Sequence, residues 1–89
     1  MALTKETIVD KIEVLEMGQV QVRTATRVLE DGVALSSSFH RHVVEPSTKA
    51  SGSWADTDIS GEDARVQAIA TAAWTDAVKT AWQEYQDAL

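Results

Sequence analysis

The sequence predicts an α+β fold, in which a three-stranded antiparallel β-meander of order 1-2-3 is covered on one face by a C-terminal helix or by two consecutive helices. Apolar and β-branched residues alternate with period two through the first half of the chain, which is typical of half-buried antiparallel strands. Toward the C-terminus the apolar residues recur with helical spacing instead. We therefore expect a single domain over 1–89, with the meander at about 6–45, a loop at 46–59 and a helical segment at 60–88.

The first two strands are expected to form a hairpin with a three-residue loop at 16–18. The glycine at the third loop position can adopt the left-handed conformation that such a loop needs, and the loop then pairs Val14 with Val20. Strict alternation along the first strand also places three apolar side chains on the side that faces the helix. These residues are Ile8, Ile12 and Val14.

The Asp-Gly sequence at 31–32 predicts a two-residue turn between the second and third strands, because both central residues of this turn need a positive φ. The register that follows from the turn directs the side chains of Phe39 and Val43 into the core. It also places His40 and His42 together on the opposite, polar face of the third strand.

The helical segment is expected to begin near Ser60, which would form a capping box with Asp63. Thr75 and the aspartate after it could cap a second helix, so the segment is either one long helix or two helices. The loop before the segment contains a proline, a glycine and several serines, which are typical of connections.

Four aromatic residues are candidates for a subunit interface, because aromatic residues are enriched at interfaces and a small sheet does not easily bury several of them. They are Trp54, Trp74, Trp82 and Tyr85. For the three that lie in the helical segment, burial in the core is the first interpretation and the interface is the second. With 89 residues and no cysteine, the chain must draw its stability from a compact core, from a partner subunit or from both.

The two histidines, His40 and His42, are candidates for a metal site. Two imidazoles are too few for zinc, and the neighbouring cations disfavour a metal ion, so a single chain is not expected to hold one. In a three-fold assembly the pairs from three chains could together bind one octahedral ion. Exposed or interface histidines are the alternative. A third possibility is an anion site formed by Lys11, Arg23 and His40, which the predicted register places in one row.

Several classes of protein are not expected. The net charge of −6 and the even spread of lysine and arginine argue against a nucleic-acid partner. The longest uncharged stretch near the C-terminus, "VQAIATAAWT", is too short to span a membrane, and the N-terminus has no signal-peptide run. Without a Gly-x-Ser-x-Gly motif, a nucleophile–base arrangement or a glycine-rich phosphate loop, we expect neither an enzyme nor a cofactor.

Six segments, "VDKIEV", "VQVRTAT", "EDGV", "SFHRHV", "SGEDARVQAI" and "WTDAVKTAW", together resemble small uncharacterised proteins that tailed phages encode, many of them from marine and other environmental sequences. The resemblance covers nearly the whole chain apart from the 46–55 loop, which is a longer insertion here. It implies a phage or prophage origin, often near structural genes. It brings no catalytic residues.

We therefore expect a non-enzymatic structural or interaction protein of phage origin that forms a homo-oligomer and serves as a virion or assembly component. Other phage structural proteins are its expected partners, and its expected location is soluble, in the host cytoplasm or the virion. The alternative is a small metal- or anion-binding module that uses the strand face of His40 and His42.

Overall fold

The first half of the chain forms a three-stranded antiparallel sheet in the computed structural model, which describes residues 2–89. The strands are β1 (Leu3–Val14), β2 (Val20–Glu30) and β3 (Val33–Val44). Their order in the sheet is β1-β2-β3, and two helices follow toward the C-terminus. The predicted α+β class and the predicted strand order are confirmed.

Both turns of the meander have the geometry that the sequence predicts. Val14 pairs with Val20 around the first loop, and Gly18 has a φ of 91°. In the second turn φ is 51° at Asp31 and 84° at Gly32, the left-handed values that a two-residue turn needs. The turns therefore fix the strand order, whereas two bulges further along the strands change the register.

The helical segment consists of α1 (Ala64–Ala73) and α2 (Asp76–Asp87). The N-cap of α1 is Asp63 rather than Ser60, and its carboxylate accepts a hydrogen bond from the Arg65 backbone N–H at 2.9 Å. The backbone N–H of Ser60 is already bonded to the Asp58 carboxylate at 2.9 Å, in a turn that precedes the helix.

The break between the helices lies at Thr75, whose side chain accepts a hydrogen bond from the Val78 backbone N–H at 3.3 Å. This hydroxyl caps α2, and Trp74 is the last residue before it. Of the two predicted arrangements, the pair of helices is therefore the correct one.

The core lies between one face of the sheet and α1. We call the sheet face that carries Val20 and Val22 the inner face, and the opposite one the outer face. The buried core residues are Val20, Val22, Val44, Val66, Ala70 and Trp74. The indole N–H of Trp74 donates a hydrogen bond to the Gly18 carbonyl oxygen at 2.6 Å, which holds the first turn against the junction of the two helices.

The connection predicted as a loop contains a small hairpin of two strands, β4 (Ser47–Ala50) and β5 (Ser53–Asp56). Two ion pairs of 3.0 Å hold the hairpin against α2. They join Lys49 to Asp87 and Lys79 to Asp56. Four-residue strands are too short to show a clear alternation of apolar and polar residues, so the sequence pattern did not indicate them.

A β-bulge at Asp10 changes the face to which β1 directs its side chains. The strand β2 pairs with Val9 on one side of the bulge and with Lys11 on the other, so Asp10 has no cross-strand partner. The alternation therefore restarts at the bulge. The prediction that Ile8 shares a face with Ile12 is wrong, and Val9 packs against the core instead.

A second bulge, at Leu35, has the same effect on β3. Next to the turn the pairs are those that the Asp-Gly sequence predicts, but Val28 pairs with Ser36 and the register is shifted by one residue from there on. A shift of one residue exchanges the two faces of a strand. The prediction that Phe39 and Val43 lie in the core is therefore wrong, since they are 47% and 53% exposed.

The same shift moves both histidines to the inner face. His42 pairs with the core residue Val22, and His40 pairs with Thr24. The predicted position of the histidines on the face opposite the helices is wrong. They lie where the part of the inner face that the helices cover meets the part that they leave open.

The helices cover only one end of the sheet. The molecule measures 56 × 23 × 22 Å, and its radius of gyration is 16.8 Å. A compact chain of this length has a radius of gyration of about 12 Å. We call the uncovered end of the sheet the arm, which comprises residues 3–8, 25–30 and 33–39.

Substitution of Gly18 by alanine is expected to lower the free energy of unfolding by about 3 kcal/mol, because the residue has a positive φ and an added Cβ would lie 2.5 Å from the Val78 Cγ1 atom. Urea denaturation measures this loss. Gly52→Ala is the matched control, because its φ is 80° but no atom lies within 4 Å of the added Cβ. We expect the control to lose only about 1 kcal/mol, and equal losses would contradict the packing argument.

Candidate interaction surface

The arm exposes apolar side chains at its tip and along both faces. The exposed fractions are 62% for Leu3, 66% for Val33 and 57% for Leu35. An antiparallel sheet in water normally keeps its apolar residues on one packed face, and exposed apolar patches mark sites of interaction. The arm is therefore the candidate interaction surface of the chain.

On the outer face, three residues form an apolar row across the strands, Ile8 of β1, Ala25 of β2 and Phe39 of β3. Ala25 is completely buried although it lies on the face opposite the helices. The Arg23 guanidinium lies 4.5 Å from the centre of the Phe39 ring, a cation–π contact. The larger side chains around Ala25 therefore cover it on this face.

Ion pairs connect β1 to β2 on the same face. Arg23 donates two hydrogen bonds to the two carboxylate oxygens of Asp10, at 2.9 and 2.8 Å. Arg27 is paired with Glu6 at 2.8 Å and approaches Asp10 at 4.0 Å. The hydrogen bond from Arg23 lowers the pKa of Asp10, and the pKa of Arg23 is raised by the same bond. The bulge at Asp10 thus directs this carboxylate toward two arginines.

Next to the apolar row lies a row of three cations, Lys11, Arg23 and Arg41, one on each strand. They border a shallow concavity of about 180 Å³. Like charges directly opposite each other destabilise a sheet unless they are compensated. Lys11 lies 3.9 Å from Glu13 and Arg23 is paired with Asp10, but Arg41 has no carboxylate within 4.0 Å among residues 2–89.

The predicted anion site is only partly assembled. Lys11 and Arg23 do lie side by side, as the register of the first hairpin predicts. His40 is on the other face, because the bulge in β3 exchanges it with Arg41. The residues that could contact one anion are therefore Lys11, Arg23 and Arg41, and His40 is not among them.

The histidines form a small polar cluster beside α1. The imidazole rings of His40 and His42 are 6.2 Å apart, and the His42 Nε2 atom lies 2.7 Å from the Glu62 Oε1 atom. Within residues 2–89 there is no group of three His, Asp or Glu side chains placed to hold a metal ion. A metal site shared by several copies stays a prediction, which metal analysis of the purified protein would check.

The aromatic interface candidates occupy different environments. Trp74 belongs to the core, and Trp82 is buried with no hydrogen-bond partner for its indole N–H among the described residues. Tyr85 follows Trp82 on α2 and is 48% exposed. Of these three, only Tyr85 presents a large part of its side chain to a partner.

Trp54 lies on β5 and connects the small hairpin to α2. Its indole N–H donates a hydrogen bond to the Asp87 carboxylate at 3.1 Å, and the Lys49 ammonium lies 5.5 Å from its ring centre. Lys49 also donates a hydrogen bond to Asp87 at 3.0 Å, and this bond, followed by the one from Trp54, lowers the pKa of Asp87. Trp54 therefore contributes to the fold through Asp87.

Sequence reasoning missed the part of the outer face that Phe39 and Arg41 form. Phe39 was assigned to the core, and Arg41 was not singled out, because the bulge at Leu35 carries no sequence signal. A glycine often marks a bulge, but neither Asp10 nor Leu35 is a glycine, and bulges of the commonest type accept any residue.

Comparison with known proteins identifies no relative from which a function could be inferred. No family model, no curated protein and no solved structure matches the chain. Neither helix in residues 2–89 is long and apolar enough to cross a membrane.

The ion pair of Asp10 is expected to make stability depend on pH in the acid range. Its pKa is lowered by folding, so the stabilisation is complete above the unfolded value of about 3.9 and is lost as the pH falls through the lower folded value. The difference in urea midpoint between the wild type and Asp10→Asn should therefore be constant above about pH 5 and shrink below about pH 4.

Glu16→Gln is the control for this measurement, because Glu16 has no ion-pair partner among residues 2–89. Its difference from the wild type should stay nearly constant over the same range. A constant difference for Asp10→Asn down to pH 2 would show that the pair with Arg23 does not stabilise the fold.

Proposed function

We propose that the chain is a non-enzymatic structural or interaction protein of phage origin, and that it acts as a homo-oligomer in a virion or in its assembly. The observation that carries the proposal is the arm, whose apolar residues are exposed at its tip and on both faces. A surface of this kind is costly in water and is normally covered by a partner.

The size of the exposed surface supports this proposal. The chain exposes 5919 Å². A compact monomer of this mass exposes about 5,100 Å². The excess is on the order of 800 Å², which is about what each partner contributes to a protein–protein interface of standard size.

The free edges of the sheet support the same proposal. β1 and β3 are edge strands of 12 residues each, and neither contains a proline. Long edge strands offer unpaired backbone N–H and C=O groups to other chains, so proteins usually shorten, charge or cover them. A partner that covers the arm would also protect these edges.

The phage origin is supported by the resemblance of the six segments described above, which implies a gene near structural genes. Mass spectrometry of purified particles from a phage that carries the gene tests the virion role directly. Detection of the protein in the particles would support this role. Its absence from particles and from assembly intermediates would contradict it.

The purified protein is expected to be an oligomer at micromolar concentration by light scattering. Leu35→Glu is expected to weaken association at least tenfold, because it introduces a charge into the exposed apolar surface of the arm. Ile69→Glu is the matched control, since it changes an exposed aliphatic residue of α1, outside the arm. A monomeric wild-type protein would contradict the proposal, as would equal effects of the two substitutions.

A second candidate function is anion binding, which the row of Lys11, Arg23 and Arg41 favours. At constant ionic strength, phosphate or citrate is then expected to raise the melting temperature of the wild type by several degrees and that of Arg41→Gln by less. Lys5→Gln is the control, because Lys5 lies on the arm outside the row. Equal shifts in all three proteins would exclude a site at Arg41.

A further inference from the structure

The charge of the chain is divided unevenly between the sheet and the rest. Residues 2–44 carry five lysines and arginines against six aspartates and glutamates, a net charge of −1. Residues 45–89 carry three against eight, a net charge of −5. The strand β3 has no acidic residue at all, so Arg41 is its only formal charge. The outer edge of the sheet and the helical part therefore have complementary charge.

Most acidic residues of the helical part already have a partner. Four are paired with basic side chains or histidine, namely Asp56, Glu62, Asp63 and Asp87. Asp58 accepts the Ser60 backbone N–H, and Asp76 lies in the first turn of α2, where a negative charge is favourable. Among residues 2–89 this leaves Glu45 and Glu84 without such an interaction.

Glu84 differs from Glu45 in its surroundings. It lies in the last turn of α2, is exposed, and directly precedes Tyr85, which is also exposed. Glu45 lies in the short link between β3 and β4 and has no exposed aromatic neighbour. The exposed surface of α2 thus carries a carboxylate and an aromatic ring at consecutive positions, and aromatic residues are enriched at interfaces.

The outer face of β3 presents the complementary pair. Arg41 is exposed and unpaired among the described residues, and its guanidinium lies 6.0 Å from the centre of the half-exposed Phe39 ring. An exposed arginine that neighbours two further cations is best satisfied by a carboxylate from outside the chain. Aromatic and arginine side chains are also the residues that most often dominate binding energy.

We infer that the outer face of the sheet at Phe39 and Arg41 docks α2 of a second copy of the chain, where Glu84 pairs with Arg41 and Tyr85 packs on Phe39. This inference rests on the proposed homo-oligomer and identifies its contact. The two surfaces belong to different parts of the same chain, so the contact is heterologous. It closes into a ring or continues as a filament, depending on the rotation between copies.

Charge reversal tests this contact. Arg41→Glu and Glu84→Arg each place two like charges at the contact, so each is expected to raise the dissociation constant at least tenfold. The double variant restores an opposite pair and should associate again. An equimolar mixture of the two single variants should also associate, because each contact in an alternating assembly then joins opposite charges. Sedimentation velocity measures all four samples.

The controls separate the contact from the fold. Glu45→Arg makes the same change in charge as Glu84→Arg but lies in the link between β3 and β4, outside both the arm and the contact, and it should associate like the wild type. Circular dichroism and urea midpoints establish that each variant is folded. Recovery in the mixture cannot come from contacts within one chain, so it reports on the interface even if a single variant is less stable.

The outcomes distinguish this inference from the proposed function. If the wild type is an oligomer and either single variant associates as tightly as the wild type, the proposed contact is wrong, but the proposed homo-oligomer is not contradicted. If both single variants dissociate but neither the double variant nor the mixture recovers, the pairing of Arg41 with Glu84 is also wrong. A wild-type protein that is monomeric at micromolar concentration would overturn both.

Discussion

The hydrogen bond from the Trp74 indole N–H to the Gly18 carbonyl oxygen is the contact on which the rest of the structure depends. It joins two residues 56 positions apart and connects the first turn of the meander to the junction of the helices. Both groups are buried, so the loss of one partner would leave the other unsatisfied, at a cost of about 1–3 kcal/mol. With the turn held there, Val20 and Val22 lie beneath α1 and the core can form.

That position of the helices, together with their lengths, explains why the sheet is only partly covered. A helix of ten residues such as α1 is about 15 Å long, whereas a strand of 12 residues spans about 40 Å. A single helix through the whole segment would have been long enough to follow the strands. The helical segment is interrupted at Thr75, whose hydroxyl caps α2, and α2 packs against the small hairpin instead. The break between the helices is therefore what creates the arm.

The sequence was sufficient for the features that depend on local signals. Alternation predicted three strands, the glycine of the first loop and the Asp-Gly turn predicted their connections, and helical spacing predicted the C-terminal segment. It failed where a single residue changed the register. The bulges at Asp10 and Leu35 leave no mark in the sequence, yet each exchanges the faces of the residues beyond it. As a result, the histidines were assigned to the surface that Phe39 and Arg41 occupy.

The outer face also shows how an uncovered sheet can keep a defined shape. The two hydrogen bonds between Arg23 and Asp10 fix the arginine, and the arginine in turn lies over the Phe39 ring. These side chains bury Ala25 without help from the helices. Side chains that are held in place before binding lose less conformational freedom on association. The bulge at Leu35, which the sequence pattern does not indicate, thus places Phe39 beside a fixed arginine. A partner that binds there does so at a lower entropic cost.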